Sequence, residues 1–364
     1  MGHLGKSMIV RRSMATSMLV LALLAGAALG HSPVRPDHGE DLEHATEVGD
    51  PLKSWAIYGH LDGGGDAWYL TFEMREGDRL RISMFNPHDD GFEPTVVIIG
   101  PGVPSNDTVP DGIEVPQGAR AMVVETVVGE PSFEPFTPSG HYQLLDENVY
   151  VEEEGRYYVV VHSEGTGGDF GLAIGYREQF TAAEWVTLPA SILGIYRWEG
   201  QSWAAILAPA VLYIGATLAY VVLVARRGKG PAGLFQALAL ASGLLVGGWA
   251  MMFLFQMTRS LAVTGPAATA VVSGSFVLVS VLLSYRALRT GLEVEGPPRA
   301  SDRLTMVLVG AVALGLYSGL VVGPFLAFLA AALPGSVATW PRPVVVHQVP
   351  EDGDGDGDGD RSLR

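Results

Sequence analysis

Four stretches of this chain, residues 204–225, 233–257, 261–284 and 304–333, are long and apolar enough to be read as membrane spans. Each reaches the roughly 20 residues a helix needs to cross hydrocarbon. Backbone groups in lipid must be paired within the segment, so the spans are expected to be helices. None of the four contains Asp, Glu, Lys, Arg or His. Proton pumps, ion-coupled carriers and voltage sensors need an ionisable group at depth, which weakens those readings. A channel built on backbone carbonyls stays open, because Gly and Pro are plentiful. The fourth stretch contains Pro324. A kink or an early end is expected there, with two short elements as the alternative.

Loop charges orient the spans. Arg226, Arg227 and Lys229 follow the first stretch, and Arg286, Arg289, Arg299 and Arg303 separate the third from the fourth. The loop between the second and third holds Arg259 alone. The positive-inside rule places the first two groups in the cytoplasm. The portion before residue 204 is then extracytoplasmic, and four crossings return the C-terminus to the same side. The N-terminus agrees: Lys6, Arg11 and Arg12 precede an uncharged stretch that ends Ala-Ala-Leu-Gly at 27–30. Residues 1–30 read as a secretory signal peptide, or as an uncleaved anchor near the lower length limit. Both readings give a multi-pass protein of the plasma membrane.

The exported portion is acidic. Residues 31–200 carry 30 acidic and 9 basic side chains, against 39 and 23 for the whole chain. Such a field argues against nucleic acid as a partner. Cysteine is absent, which removes disulfides, zinc thiolates, iron–sulfur clusters and cysteine nucleophiles. Residues 31–52 read as an acidic linker. His38 and His44 lie among its carboxylates, and metal binding there is the weaker alternative.

From residue 53 to 178 the pattern becomes short β-rich runs: Trp55–Leu61, Ala67–Met74, Arg79–Phe85, Thr95–Ile99, Ala119–Val127, Val149–Val151, Tyr157–His162 and Phe170–Tyr176. Leu80, Ile82 and Met84 alternate with Arg79, Arg81 and Ser83, the period-two signature of a half-buried strand. Seven or eight such runs without a convincing helix predict an all-β sandwich or jelly-roll of antiparallel strands.

Particular residues carry a resemblance. They are Gly59-His60-Leu61, Asp66-Ala67-Trp68-Tyr69-Leu70-Thr71-Phe72, Glu76-Gly77-Asp78-Arg79-Leu80-Arg81-Ile82, Pro94 to Pro101, Glu154 to Val161, and Gly171-Leu172-Ala173-Ile174. In this order and spacing, segment 57–176 resembles the pre-peptidase C-terminal domain family, small β-sandwich modules of secreted proteins. The resemblance implies an accessory binding domain, in some members with calcium. The stretch 102–148 departs from the pattern by its length and acidity, and the chain has no recognisable protease.

Asp62, Asp66, Asp89, Asp90 and Glu93 are hard oxygen ligands in or beside turns, the donor type calcium takes. Their spacing is not that of an EF-hand, and a solvated acidic surface is the competing reading. Asn106-Asp107-Thr108 is a glycosylation sequon. The Gly-rich run at 163–169 lacks the lysine of a phosphate-binding loop and reads as a hairpin. No G-x-S-x-G elbow and no H-E-x-x-H occurs, and His60, His88, His141 and His162 are scattered. Nothing in the sequence marks an enzyme.

Residues 179–203 are rich in Trp and Tyr, which suits a short interfacial helix after Pro189 or a linker against the β-domain. Gly243-x-x-x-Gly247, Gly315-x-x-x-Gly319 and Gly319-x-x-x-Gly323 offer faces for close helix contact, within the bundle or with a membrane partner. Residues 334–364 end in an Asp-Gly repeat that reads as an external disordered tail. The sequence thus predicts an acidic extracytoplasmic β-module above a four-span α-helical bundle in membrane lipid. Its expected role is binding or structural, toward an envelope protein, a polysaccharide or a cation. A membrane-complex assembly subunit is the alternative, and a transporter or channel component is the weaker third.

Overall fold

A computed structural model describes residues 31–34, 36–37, 39–105, 108–228 and 230–338. The expected signal peptide, Asn106 of the sequon and the Asp-Gly repeat lie outside the described residues.

The β-domain contains eleven strands among the described residues: β1 (Ser32–Val34), β2 (Thr46–Glu47), β3 (Trp55–Gly63), β4 (Asp66–Met74), β5 (Arg79–Asn86), β6 (Thr95–Gly100), β7 (Arg120–Val124), β8 (Pro131–Glu134), β9 (Ser139–Tyr150), β10 (Gly155–Ser163) and β11 (Thr166–Ile174). They form two sheets, in the orders β1-β3-β11-β5-β9-β8 and β2-β4-β10-β6-β7. Most pairs are antiparallel, but β1 runs parallel to β3 and β2 to β4, so the sheets are mixed rather than purely antiparallel. The alternation read in β5 is realised: Leu80, Ile82 and Met84 are fully buried. They join Leu70 and Phe72 of β4, Val159 and Val161 of β10, and Leu172 of β11 in one core shared by both sheets.

The continuous apolar runs have a second cause. Val97, Ile99 and Val160 point away from that core and pack with Tyr69 and Val123 on the outer face of the second sheet. Val109, Ile113 and Ala119, from the long acidic insertion, cover this face. The first sheet is covered differently. Ala56 and Tyr58 of β3 pack against Ile195 and Trp198 of α1 (Ala182–Trp198). Helix α1 starts at a capping box: Thr181 Oγ1 accepts the Glu184 amide at 3.2 Å, and Glu184 Oε2 accepts the Thr181 amide at 2.6 Å. The helix begins before Pro189 rather than after it. The aromatic segment is thus both a helix and a pad against the β-domain.

Among the described residues, three helices are long and apolar enough to cross a membrane: α2 (Trp203–Arg226), α3 (Leu234–Thr264) and α4 (Ala270–Glu293). The fourth expected span is not one helix. It divides into α5 (Ala300–Gly315) and α6 (Val322–Ala332), followed by the short α7 (Gly335–Ala338). Pro324 is not the cause, because it stands in the first turn of α6, where its missing N–H has no partner to lose. The break lies at 316–321, where Tyr317, Leu320 and Val321 hold positive φ angles of 42°, 57° and 63°. Helix α6 then returns beside α5, and Arg303 Nη1 donates to Ala331 O at 2.6 Å. Ala338 packs with Phe235 and Met306, so the described chain ends at the arginine-rich end of the bundle. The expected return to the β-domain side assumed an undivided last span.

Glycines set the helix spacing. A Cβ on Gly291 would stand 2.5 Å from Leu240 Cγ, and one on Gly243 would stand 2.8 Å from Leu288 Cγ, which locks α3 to α4. Gly247 faces the Tyr213 ring of α2, and Gly319 and Gly323 face Val246. Four glycines of the small-residue motifs are therefore in contact within the chain itself.

Candidate functional site at the junction of the two parts

The site forms where the turn between β8 and β9 enters the helix bundle. Residues 134–138 read Glu-Pro-Phe-Thr-Pro. Proline supplies a carbonyl but no N–H, so such a turn presents acceptors to its neighbours. Three hydroxyls from three parts of the bundle meet them. Ser260 Oγ donates to Pro138 O at 3.0 Å, Ser273 Oγ to Pro135 O at 2.5 Å and Tyr317 Oη to Phe136 O at 2.6 Å. The 31 residues of α3 rise about 46 Å, well past a hydrocarbon core of about 30 Å, so its last turns can stand above the lipid. There Gly140 of β9 lies against them. A Cβ at that position would be 3.4 Å from Ser260 O and 3.5 Å from Val263 Cβ.

A second tie runs through α1. Trp198 is buried, its Nε1–H donates to Gly59 O at 3.1 Å, and its ring meets Tyr58 edge-on at 4.9 Å. Lys53 pairs with Glu184 and lies 3.9 Å from the centre of the Trp55 ring. A buried polar relay also crosses the junction. His141 Nε2 lies 3.3 Å from Glu199 Oε1, and Gln201 Nε2 donates to Glu199 Oε2 at 2.9 Å. Gln201 and Gln256 then exchange two amide hydrogen bonds of 2.9 and 2.8 Å. Buried polar groups are tolerable when each finds a partner, and this relay reaches from β9 to α3.

Between these ties lies a cavity of about 430 Å³. Phe85 and Tyr58 of the first sheet form one wall, and Trp185, Leu188 and Ile192 of α1 form the second. Phe136, Phe276, Val312 and Tyr317 close it on the bundle side. The surface is mostly apolar, with Glu134, His141 and Gln143 as its principal polar groups. Pockets of this size and composition suit small apolar ligands held by a few polar groups.

Glu134 is the chemical oddity. The residue is half-buried and lines the cavity, and protein surrounds its carboxyl group. Burial raises its pKa above the usual carboxylate range, against the Phe136 amide, which donates to Oε1 at 2.9 Å, and against the field of His141. Nearby Glu178 adds to the rise. His141 itself stacks on Phe85, with ring centres 4.7 Å apart. The site can therefore accept an apolar body and offer a carboxyl and an imidazole to a polar end.

The acidic residues singled out in the sequence lie elsewhere. Asp62 and Asp66 share the β3–β4 turn, where Asp66 Oδ2 accepts the Asp62 amide at 2.8 Å. Asp89 and Asp90 lie in the exposed loop after β5, and Asp90 Oδ1 accepts the Phe92 amide at 3.2 Å. Glu93 Oε1 accepts the Val128 amide at 3.2 Å. Among the described residues, no three His, Cys, Asp or Glu side chains gather as a metal-ligand group. Sequence reading missed Glu134, Glu199 and the role of His141. The available signal was an aromatic residue held between two prolines, Pro135-Phe136-Thr137-Pro138, in an otherwise acidic stretch.

No protein-family model matches the chain, and a search of curated proteins finds no match either.

Proposed function

We propose that this protein is a membrane-anchored, extracytoplasmic binding module whose ligand is an amphiphile held in the junction cavity. The observation that carries this reading is the apolar cavity at the membrane-proximal face of the β-domain, with Glu134 held toward its neutral form at one wall. An acyl or isoprenoid chain from the outer leaflet suits the Phe, Trp, Leu and Ile walls. The Glu134 carboxyl and the His141 imidazole can each hydrogen-bond the ligand's head. The orientation follows the loop charges: Arg226, Arg227, Arg286, Arg289, Arg299 and Arg303 lie toward the end of the bundle away from the β-domain. The β-domain is read as a two-layer module of the pre-peptidase C-terminal type. An assembly-subunit role gains less support, because most of the small-residue contacts are made inside the chain.

The test is native mass spectrometry of the protein extracted from membranes in mild detergent. Wild type is expected to carry one lipid-sized adduct per chain, and Ile192→Trp, which fills the cavity, is expected to lose it. No adduct on wild type, or an adduct undiminished in Ile192→Trp, overturns the proposal.

A further inference from the structure

A second basin lies on the other side of the β-domain, on the outer face of the second sheet and apart from the junction cavity. It encloses about 630 Å³, and its lining is predominantly polar. Side chains alternate along a strand, so His162 shares a face with Val160, two residues before it. Val160 belongs to the outer cluster with Val97 and Val123, which places His162 on the outer face too, beside Thr95 across the β10–β6 pair. His162, Thr95 and Val123 form the floor of the basin. Its rim carries Glu93, Asp111, Glu125 and Glu164, and no Lys or Arg lines it among the described residues.

The floor residue is the independent observation. His162 is only 1% exposed, and its Nε2 has no hydrogen-bond partner among the described residues. Its Nδ1 lies 3.1 Å from the backbone oxygen of Asp66. A carbonyl can only accept, so Nδ1 is the donor nitrogen, and in that tautomer Nε2 is an acceptor. A buried acceptor without a donor is costly and calls for an occupant that supplies one. The rim is acidic: Glu125 Oε2 takes the Thr95 hydroxyl at 3.3 Å, Glu93 Oε1 takes the Val128 amide at 3.2 Å, and Asp111 and Glu164 line the same basin. A ligand here must bring positive charge and several N–H donors. A bare metal ion suits the site less, since no three ligating groups converge among the described residues. Carboxylates spread around a rim match charges spaced along a chain.

We propose that this basin binds an organic polycation of the polyamine type, with one ammonium lowered toward His162 and the others paired to the rim. The test is isothermal titration of the full chain in detergent with spermidine, at low and high salt. One saturable site per chain is expected, at least tenfold weaker in Glu125→Gln/Glu164→Gln. These two rim residues are exposed, so the fold should survive. His162→Gln, read alongside its own thermal midpoint, is expected to weaken binding at least threefold. Glu152→Gln/Glu153→Gln removes the same charge elsewhere on the domain and is expected to leave affinity unchanged. If that control weakens binding equally, the attraction is diffuse and the proposal fails. It also fails if spermidine gives no saturable heat, or if calcium alone binds and displaces spermidine at equal concentration.

Discussion

Replacing Trp198 tests whether the β-domain and the bundle are held together as described. The side chain is 8% exposed, donates to Gly59 O at 3.1 Å and meets Tyr58 edge-on at 4.9 Å. Truncating a buried Trp to Ala costs about 3–5 kcal/mol. Trp198→Phe keeps a ring but strands the Gly59 carbonyl, at about 1–3 kcal/mol. Both losses fall on the contact between α1 and the first sheet, outside the core between the sheets. They should appear as local opening rather than as unfolding of the β-domain. Cleavage through an opened state follows its population. Limited proteolysis in detergent should therefore cut residues 177–202 about a hundredfold to a few thousandfold faster in Trp198→Ala and about five- to a hundredfold faster in Trp198→Phe, since about 1.4 kcal/mol is a factor of ten. Mass mapping of the fragments gives sites and rates together. Equal rates in all three proteins, or cuts spread through the β-domain, would refute the assignment of Trp198 to the junction.

Further expectations follow from single positions. Burial raises the Glu134 pKa, so the folded state holds its proton above the ordinary glutamate value of 4.5. Stability is then lost as pH rises through 4.5 toward the folded value, and Glu134→Gln should be the more stable protein at neutral pH, with the gap closing as pH falls toward 4.5. Thermal midpoints at several pH values check this, and a pH-independent gap would contradict it. Gly247→Ala drives a methyl to within 2.3 Å of the Tyr213 ring and disturbs its 2.8 Å bond to Ser284. A loss of about 1–3 kcal/mol is expected in detergent unfolding curves. Val321→Gly relieves a β-branched residue at φ 63° and should raise the thermal midpoint, by about 1 kcal/mol of stability.

Where burial is one-sided, the sequence spells it out. Leu80, Ile82 and Met84 alternate because one face of β5 meets the core and the other does not. Where both faces are covered, as in β6, alternation gives way to an unbroken apolar run that does not say what covers it. The β8–β9 hairpin was hidden for a related reason. Its Ser132, Ser139, His141 and Gln143 face a cavity or a partner helix, so polar side chains stand where a core would need apolar ones. The two-element alternative for the last stretch is the one realised, but its break falls at Gly319-Leu320-Val321 rather than at Pro324; of these three left-handed residues only Gly319, packed on Val246, is of a type that signals such a backbone. The site itself draws on residues 134, 141, 192, 276 and 317, which only the fold brings together.

A disulfide across the junction is the most direct test of the whole arrangement. The natural chain has no cysteine, so Gly140→Cys with Val263→Cys introduces the only two thiols. A Cβ on Gly140 stands 3.5 Å from Val263 Cβ, within the disulfide range of about 3.5–4.5 Å. If the β-domain is exported and seated on the outer end of α3, the bond should form in intact cells without added oxidant and shift the band on a non-reducing gel. Thiols that stay free in oxidised, purified membranes would contradict the docking, and a bond that forms only after lysis would contradict the orientation.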